Sequence, residues 1–266
     1  IKLVDVVAEL LDARVPQSSS NPVLRDIIQR KPKVVLLNKS DMADPAQTSK
    51  WVSYFASQGE KAIPLESKTG KGLGAFYPTV REVLKPQIEA WEKKGMVGRP
   101  IRVMVVGIPN VGKSSFINRM ILGGGAGKAA GQDRPGVTRQ NRWFTVGKGF
   151  ELLDTPGVLW PKFEDPIVGE HLAFTGAVRD EILDMESLAA RLLELLMELY
   201  PNAINSRYKT DIRPEEHLSG HELLERVGRK RGMLVSGGEV NTERAAITVL
   251  DEYRGGKLGR ITLERP

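Results

Sequence analysis

The chain is 266 residues long, 41% hydrophobic and 27% charged, with no cysteine and a formal net charge of +6. This composition excludes a disordered polymer, disulfides and thiolate metal sites, and it fits a reducing compartment. With no run of about eighteen apolar residues, a membrane-spanning helix is not expected.

The length suggests one or two domains, each able to bury a core. The chain opens at Ile1 with no charged segment ahead of an apolar core, so no signal peptide is visible. A fragment lacking a short leader is expected. The basic excess lies before about residue 170, and the remainder is slightly acidic. A basic surface of this kind suits a polyanion such as nucleic acid, and suits equally well a basic protein without such a partner.

In chain order, Val4–Asp12 reads as strand or helix, and Pro16 with the Ser18–Asn21 cluster favours a strand. Lys33-Val-Val-Leu-Leu-Asn38 is a short apolar run of the kind buried in a parallel sheet. It leads into Asn38-Lys39-Ser40-Asp41. An Asp there can accept from guanine N1–H and the 2-amino group, which adenine lacks, so a buried Asp at this position is expected to discriminate strongly. Asn38 would reach the N7 side and Lys39 would lie along the base; the competing reading is a polar turn. Gln47–Ser57 is expected to be helical and Ala62–Glu66 a strand. Glu66-Ser67-Lys68-Thr69 follows, its backbone facing guanine O6 and Ser67 supporting the loop. Gly74–Leu84 reads as a helix. Lys85–Pro100, with two prolines and two glycines, reads as a connector holding a short helix.

Ile101–Gly107 is the next expected strand. Gly107-Ile-Pro-Asn-Val-Gly112-Lys113-Ser114 then matches G-x-x-x-x-G-K-[ST], between a strand and the helix expected over Lys113–Ile121, which is the context this phosphate-binding motif needs. The glycines let backbone N–H groups turn toward phosphate oxygens, and the helix N-terminus adds a favourable field. Asn110, Val111, Gly112, Lys113, Ser114 and Ser115 are the expected nucleotide-binding run. Lys113 would reach the β- and γ-phosphates and Ser114 would ligate Mg²⁺.

Gly123–Gly131, rich in Gly and Ala, is expected to be mobile. Thr138, in Pro135-Gly-Val-Thr138, could complete the Mg²⁺ shell and touch the γ-phosphate. Phe150–Asp154 is a further strand, followed by Asp154-Thr-Pro-Gly157. An Asp at such a strand end holds Mg²⁺, usually through water, and the Gly157 N–H can sense the γ-phosphate. Lys113, Thr138 and Gly157 are therefore the expected catalytic set, and Ser114, Thr138 and Asp154 the metal set.

After about residue 165 the strand pattern stops. Ser187–Tyr200 has helical apolar spacing with Ser187 as the expected N-cap, and Asn241 is expected to cap a helix running to Arg254, ended by Gly255 and Gly256. The expected organisation is a nucleotide-binding α/β domain over residues 1–165 and a small all-helical domain over 166–266.

The five motifs together are the signature set of translation-factor-like GTPases, but the order is permuted. Asn38–Asp41 and Ser67–Lys68 precede the P-loop, Thr138 and Asp154–Gly157 instead of following them. A doubly wound sheet can be rewired this way if the old termini are joined, and Lys85–Pro100 is long enough to be the join. The new break falls after the Asp154–Gly157 switch, so the helical domain follows directly on the segment that responds to hydrolysis. The expected fold is a circularly permuted, mostly parallel α/β P-loop GTPase fold. An ATP-using P-loop kinase is disfavoured by Asn38–Asp41, and tRNA-modifying or septation GTPases carry the motifs unpermuted.

The chain resembles the circularly permuted GTPases of ribosome assembly, most specifically the RbgA/YlqF family. The resemblance rests on Asp12-Ala-Arg-Val-Pro16, Asn21-Pro22, Val158-Leu-Trp-Pro161, Leu172-Ala-Phe-Thr-Gly176, Gly228-Arg-Lys-Arg-Gly232, Gly237-Gly238, Arg244-Ala-Ala246 and Tyr253-Arg-Gly-Gly-Lys-Leu-Gly259, and so covers nearly the whole chain. It implies a monomeric bacterial cytoplasmic GTPase that uses Mg²⁺, binds the immature large ribosomal subunit and its rRNA, and is released on GTP hydrolysis to GDP. Organellar relatives leave the mitochondrial matrix as a lesser alternative. A nucleotide-dependent RNA scaffold with incidental turnover is the competing function. The family's short basic lead with a histidine is expected to be missing here.

Many GTPases orient the attacking water with a Gln after D-x-x-G. Here the position is Val158, which cannot hydrogen-bond a water, so slow intrinsic hydrolysis is expected until the ribosomal particle, a cation or another residue assists. Asn110 points to K⁺, since similar GTPases hold that cation with a P-loop Asn; its alternative role is to stabilise the loop. His171 is expected on a helix face rather than in catalysis. The basic run Arg226–Arg231 reads equally as an rRNA contact or a solvated helix end.

Overall fold

The computed structural model describes residues 2–28, 30–123, 142–155 and 164–266. The chain divides into two compact units. One comprises Ile1–Asp41, Pro45–Lys162 and Glu264–Pro266; the other comprises Met42–Asp44 and Phe163–Leu263.

The first unit is built on six strands: β1 (Val6–Asp12), β2 (Lys33–Asn38), β3 (Lys61–Pro64), β4 (Ile101–Gly107), β5 (Arg142–Val146) and β6 (Phe150–Asp154). Their spatial order is β3-β2-β1-β4-β6-β5. All neighbours are parallel except β5 and β6, which are antiparallel. All seven residues of β1 are buried, as a central strand covered on both faces requires. Even Glu9 is only 1% exposed; its carboxylate accepts from Ser20 Oγ, Asn21 N and Lys33 Nζ.

The chain lays down β1, β2 and β3 outward on one side and then crosses back to place β4 on the other side of β1. In such sheets ligands collect beyond the carboxyl ends of the strands, at the point where the order reverses. Register puts Asp12 opposite Asn38, Leu10 opposite Gly107 and Val105 opposite Asp154, so four motif-bearing strand ends share one edge.

Among the described residues, this unit's helices are α1 (Leu24–Ile28), α2 (Pro45–Ser57), α3 (Phe76–Val83), α4 (Lys85–Lys93) and α5 (Lys113–Gly123). Phe76 of α3 lies 5.5 Å from the Phe116 ring of α5 and 6.0 Å from Phe150 of β6. The crossing from β3 to β4 runs through α3 and α4. Arg99 closes it, with its guanidinium 4.0 Å from the Trp91 ring and two 3.1 Å bonds to Asp5.

The apolar runs read as strands are strands. Val4–Asp12 resolves to β1 starting at Val6, and the strand expected over Ala62–Glu66 ends at Pro64. Gly74–Leu84 divides into a 3-10 turn, Leu73–Ala75, and α3. Strand β5 is not foreseen from sequence, because it is a half-exposed antiparallel edge strand whose charged and polar residues hide its alternation. Gly124–Gly131 of the segment expected to be mobile lies outside the described residues.

The second unit is helical: α6 (Pro166–Phe174), α7 (Met185–Leu199), α8 (Asn202–Tyr208), α9 (Gly220–Lys230) and α10 (Thr242–Arg254). Buried Leu192, Leu193 and Leu196 of α7 pack with the elements that supply Leu223, Val227, Val249 and Leu250. Helix α7 begins earlier than expected. Asp184, not Ser187, is its N-cap: the Asp184 carboxylate accepts from Ser187 N at 3.2 Å and from Ser187 Oγ at 2.8 Å. The cap sits three residues earlier because the helix already includes Met185 and Glu186, so Ser187 is its third residue and its N–H is one of the first-turn groups that need an acceptor. Asn241 caps α10 as expected, accepting from Arg244 N. Arg254 closes the far end of α10. It donates to the α6 carbonyls of Ala173 and Phe174 and makes two 2.9 Å bonds to Asp180. Among the described residues no helix is long and apolar enough to cross a membrane.

Candidate functional site

The loop between β4 and α5 carries the phosphate-binding motif. Asn110 and Gly112 take left-handed backbone angles, with φ of 61° and 100°. At Gly112 the conformation and the space both demand glycine, since a Cβ there would stand 2.3 Å from Asn38 Nδ2. The close approach has a purpose, because the Asn38 amide is the stitch of the site. Its Nδ2 donates to Val111 O at 2.8 Å, and its Oδ1 accepts from Ser67 N at 3.0 Å and Ser67 Oγ at 2.9 Å. One side chain, only 2% exposed, thus joins the end of β2, the phosphate loop and the loop after β3. Gly112 and Asn38 come from opposite sides of the permuted order yet meet here.

Lys39, with φ of 59°, crosses the same gap and donates to Asn110 O at 2.6 Å. Beneath it lies Asp12, whose Oδ2 is 3.7 Å from Lys39 Nζ and 2.9 Å from Arg14 Nη2. Burial pushes the Asp12 carboxyl upward, but Arg14 and Lys39 outweigh it and hold the group below the usual range. Burial lowers Lys39 despite Asp12, with Arg14 and Lys68 acting in the same direction. In sequence, Asp12 and Arg14 stand out only as part of a family motif. Their work as an ionic floor under Lys39 is a tertiary interaction that spacing does not show.

Asp41 is exposed in the 3-10 turn Ser40–Met42, which is tied to the end of β3 by Ser40 Oγ donating to Leu65 O at 3.1 Å. Lys68 is exposed, and its carbonyl accepts from Arg119 of α5. Arg119 is a second residue that sequence reasoning misses; nothing in its sequence surroundings marks it.

Ser114 and Ser115 lie exposed in the first turn of α5, where its free N–H groups begin. Lys113 Nζ lies 2.8 Å from Asp154 Oδ1 and donates to Thr155 O. Asp154 Oδ1 is buried and, although ion-paired, has no aligned hydrogen bond. The carboxylate at the end of β6 and the serine hydroxyl in the first turn of α5 are both hard oxygen donors, the kind that suits Mg²⁺. Among the described residues no group of three or more His, Cys, Asp or Glu could hold a metal by themselves. Thr138, Gly157 and Val158 lie outside the described residues.

Two other expectations fall in the helical unit. His171 is buried in α6 and stacks on Phe174 with ring centroids 6.0 Å apart. In the basic run at the end of α9, Arg226 pairs with Glu216 at 2.8 Å and Arg231 lies 5.2 Å from the Tyr208 ring, while Arg229 and Lys230 are exposed.

Comparison with known proteins agrees with this geometry. A family model described as a 50S ribosome-binding GTPase matches residues 102–218. That match starts at β4 and leaves out Asn38–Asp41, as the permuted order requires. The chain is 45% identical to ribosome biogenesis GTPase A of Bacillus pumilus, covering all of this chain and 92% of that one. It is 34% identical to the protein of the same name from Thermotoga maritima, covering 88% of it. Among solved structures, GDP-bound TM YlqF superposes with a TM-score of 0.67 at 29% identity, covering 100% of this chain and 96% of that one. GNP-bound YlqF from T. maritima gives 0.66 at 28% identity, covering 100% and 94%.

Proposed function

The chain belongs to the ribosome biogenesis GTPase A family, and we propose that it binds the immature large ribosomal subunit through rRNA in its GTP form and leaves after hydrolysis. The observation that carries the chemistry is the Asn38 stitch: a guanine-reading turn and a phosphate loop are locked at one sheet edge by a single buried amide. GTP hydrolysis is the activity of the family; this geometry supports the assignments in the sheet unit's described residues, and the sequence motifs alone support those of Thr138, Gly157 and Val158.

In this reading Asp41 accepts from guanine N1–H and the 2-amino group. Lys39 lines the base, and the Ser67–Lys68 backbone meets O6. The Val111, Gly112 and Ser115 amides hold phosphate oxygens with Lys113. The contacts of Lys113 with Asp154 and Thr155 O place its ammonium at the mouth of the phosphate loop beside the end of β6. Ser114, Thr138 and Asp154 are the residues to hold Mg²⁺, which would offset the charge on the β- and γ-phosphates. Gly157 senses the γ-phosphate. Water attacks the γ-phosphorus, the bond to the β–γ bridging oxygen breaks, and GDP and phosphate result. With Val158 after the D-x-x-G motif, the uncoupled reaction is slow. Either the ribosomal particle or K⁺ at Asn110 supplies the missing stabilisation. The left-handed angle at Asn110 supports its loop role; equal single-turnover rates in K⁺ and Na⁺ would remove the cation role.

The exposed Arg229 and Lys230 are the basic groups offered to rRNA phosphates. The working form is a monomer in the bacterial cytoplasm. The test is release of the protein from purified large-subunit precursors. Release with GTP and retention with a non-hydrolysable analogue is the expected result. Equal release with both would favour a scaffold whose turnover is incidental.

A further inference from the structure

Within the sheet unit, the loop after β3 is closed at its base and held at its crest by different contacts. At the base, Glu66 N donates to Lys71 O at 2.9 Å and Gly70 N donates to Glu66 O at 2.8 Å. Ser67 is buried, and its N–H and hydroxyl both donate to Asn38 Oδ1. The donor left in the Ser67–Lys68 backbone for a base oxygen is therefore Lys68 N–H. Lys68 stands exposed at the crest, where its carbonyl accepts from Arg119 Nη2. The Arg119 stem crosses Gly70: a Cβ built on that glycine would stand 3.4 Å from Arg119 Cδ and 3.5 Å from Nε. Arg119 itself springs from a fixed base, since Phe116, Ile117 and Met120 beside it on α5 are buried and the Phe116 ring lies 5.5 Å from that of Phe76.

A backbone donor that reads a base must be held within about 0.5 Å of its working position. Pinning the Lys68 carbonyl limits the backbone rotation that would swing the N–H of the same residue away. We infer that Arg119 is a positioning residue for guanine O6: it holds the crest of the loop over residues 66–69 so that Lys68 N–H meets that oxygen. This rests on the reading of the Ser67–Lys68 backbone given above and adds the side chain that steadies it. It also joins the two ends of the nucleotide, because α5 opens at the phosphate loop with Lys113 and Ser114 and carries Arg119 further along. By linkage, phosphate that steadies α5 favours the base, and the base in turn favours phosphate.

The test compares GDP with 6-thio-GDP, in which sulfur, a weaker acceptor, replaces O6 while N1–H and the 2-amino group remain. Affinities are measured by titration calorimetry with Mg²⁺. The unaltered chain should prefer GDP about three- to tenfold, the worth of one hydrogen bond. Arg119→Met keeps the stem over Gly70 and removes the donor, so its preference should fall to within about twofold of unity. Arg119→Lys, which restores a donor, should recover most of it. The ratio of GDP to IDP, which lacks only the 2-amino group facing Asp41, should stay within about twofold of the parent's in both variants. Melting of the nucleotide-free proteins shows whether they fold, and Arg119→Ala, favourable in a helix, gives the same readout should Arg119→Met fail to. A folded donor-less variant that keeps the parent's preference over 6-thio-GDP, or that loses both preferences equally, would overturn the proposal. An unaltered chain that binds GDP and 6-thio-GDP alike would instead remove the O6 reading itself, and the positioning role with it.

Discussion

Replacing Asn38 by Ala should damage the site and the sheet unit together. The side chain makes three bonds of 2.8, 3.0 and 2.9 Å, to Val111 O, Ser67 N and Ser67 Oγ. At 2% exposure, little water can replace them. Each is worth roughly 1–1.5 kcal/mol, so removal should cost about 3–5 kcal/mol, a large share of the usual stability of a domain. Ser67→Ala removes only the hydroxyl bond and should cost about 1 kcal/mol. The contrast between the two variants separates the stitch from general disruption. The described tryptophans, Trp51, Trp91 and Trp143, lie in the sheet unit, so urea unfolding followed by tryptophan fluorescence reports that unit. GDP affinity, measured in parallel, should drop by at least about tenfold, because the phosphate loop loses its anchor. An Asn38→Ala protein within about 0.5 kcal/mol of the parent, with GDP affinity unchanged, would refute the argument.

Further outcomes follow from other interactions. The Asp180 carboxyl is held low by its hydrogen bond from Arg254, and Glu252 by its bonds from Arg207. Groups with depressed folded values give stability that is complete above their ordinary values of 3.8 and 4.5 and is lost as pH falls through the folded values. Helical-unit melting followed by circular dichroism should therefore decline with acid below about pH 5, and less steeply in Asp180→Asn; greater stability at pH 3 than at pH 5 would contradict this. Ser114→Ala should bind GTP with an affinity that no longer rises with Mg²⁺, as seen by titration calorimetry with and without the ion. Replacing Arg229, Lys230 and Arg231 by Ala should weaken binding to ribosomal precursors and reduce the salt slope, by about 0.7–0.9 for each phosphate that the run neutralises. An unchanged slope would show that the run is a solvated helix end.

The parts of the fold legible in sequence are those where local chemistry and tertiary role coincide. The Lys33–Asn38 and Ile101–Gly107 runs are apolar because both faces of the sheet are covered, and their boundaries match the strands. The glycines of the phosphate loop are visible because backbone geometry there admits little else. Strand β5 is hidden because an edge strand need be buried on only one side, and its exposed positions are Trp143 and Thr145. Helix α9 is not evident beyond its basic end, although its Ser219–Glu222 capping box is a readable local signal. Arg119 and the pairing of Asp12 with Lys39 are silent for a different reason: their partners lie far along the chain, so only folding brings them together.

If Asp41 reads the base while the loop ending in Lys113 holds the phosphates, the pocket must prefer guanine nucleotides. Competition between GDP and ADP for the intact protein with Mg²⁺, by titration calorimetry, tests it most directly. A preference for GDP of at least about a hundredfold is the predicted result. Equal affinity for the two nucleotides would contradict it.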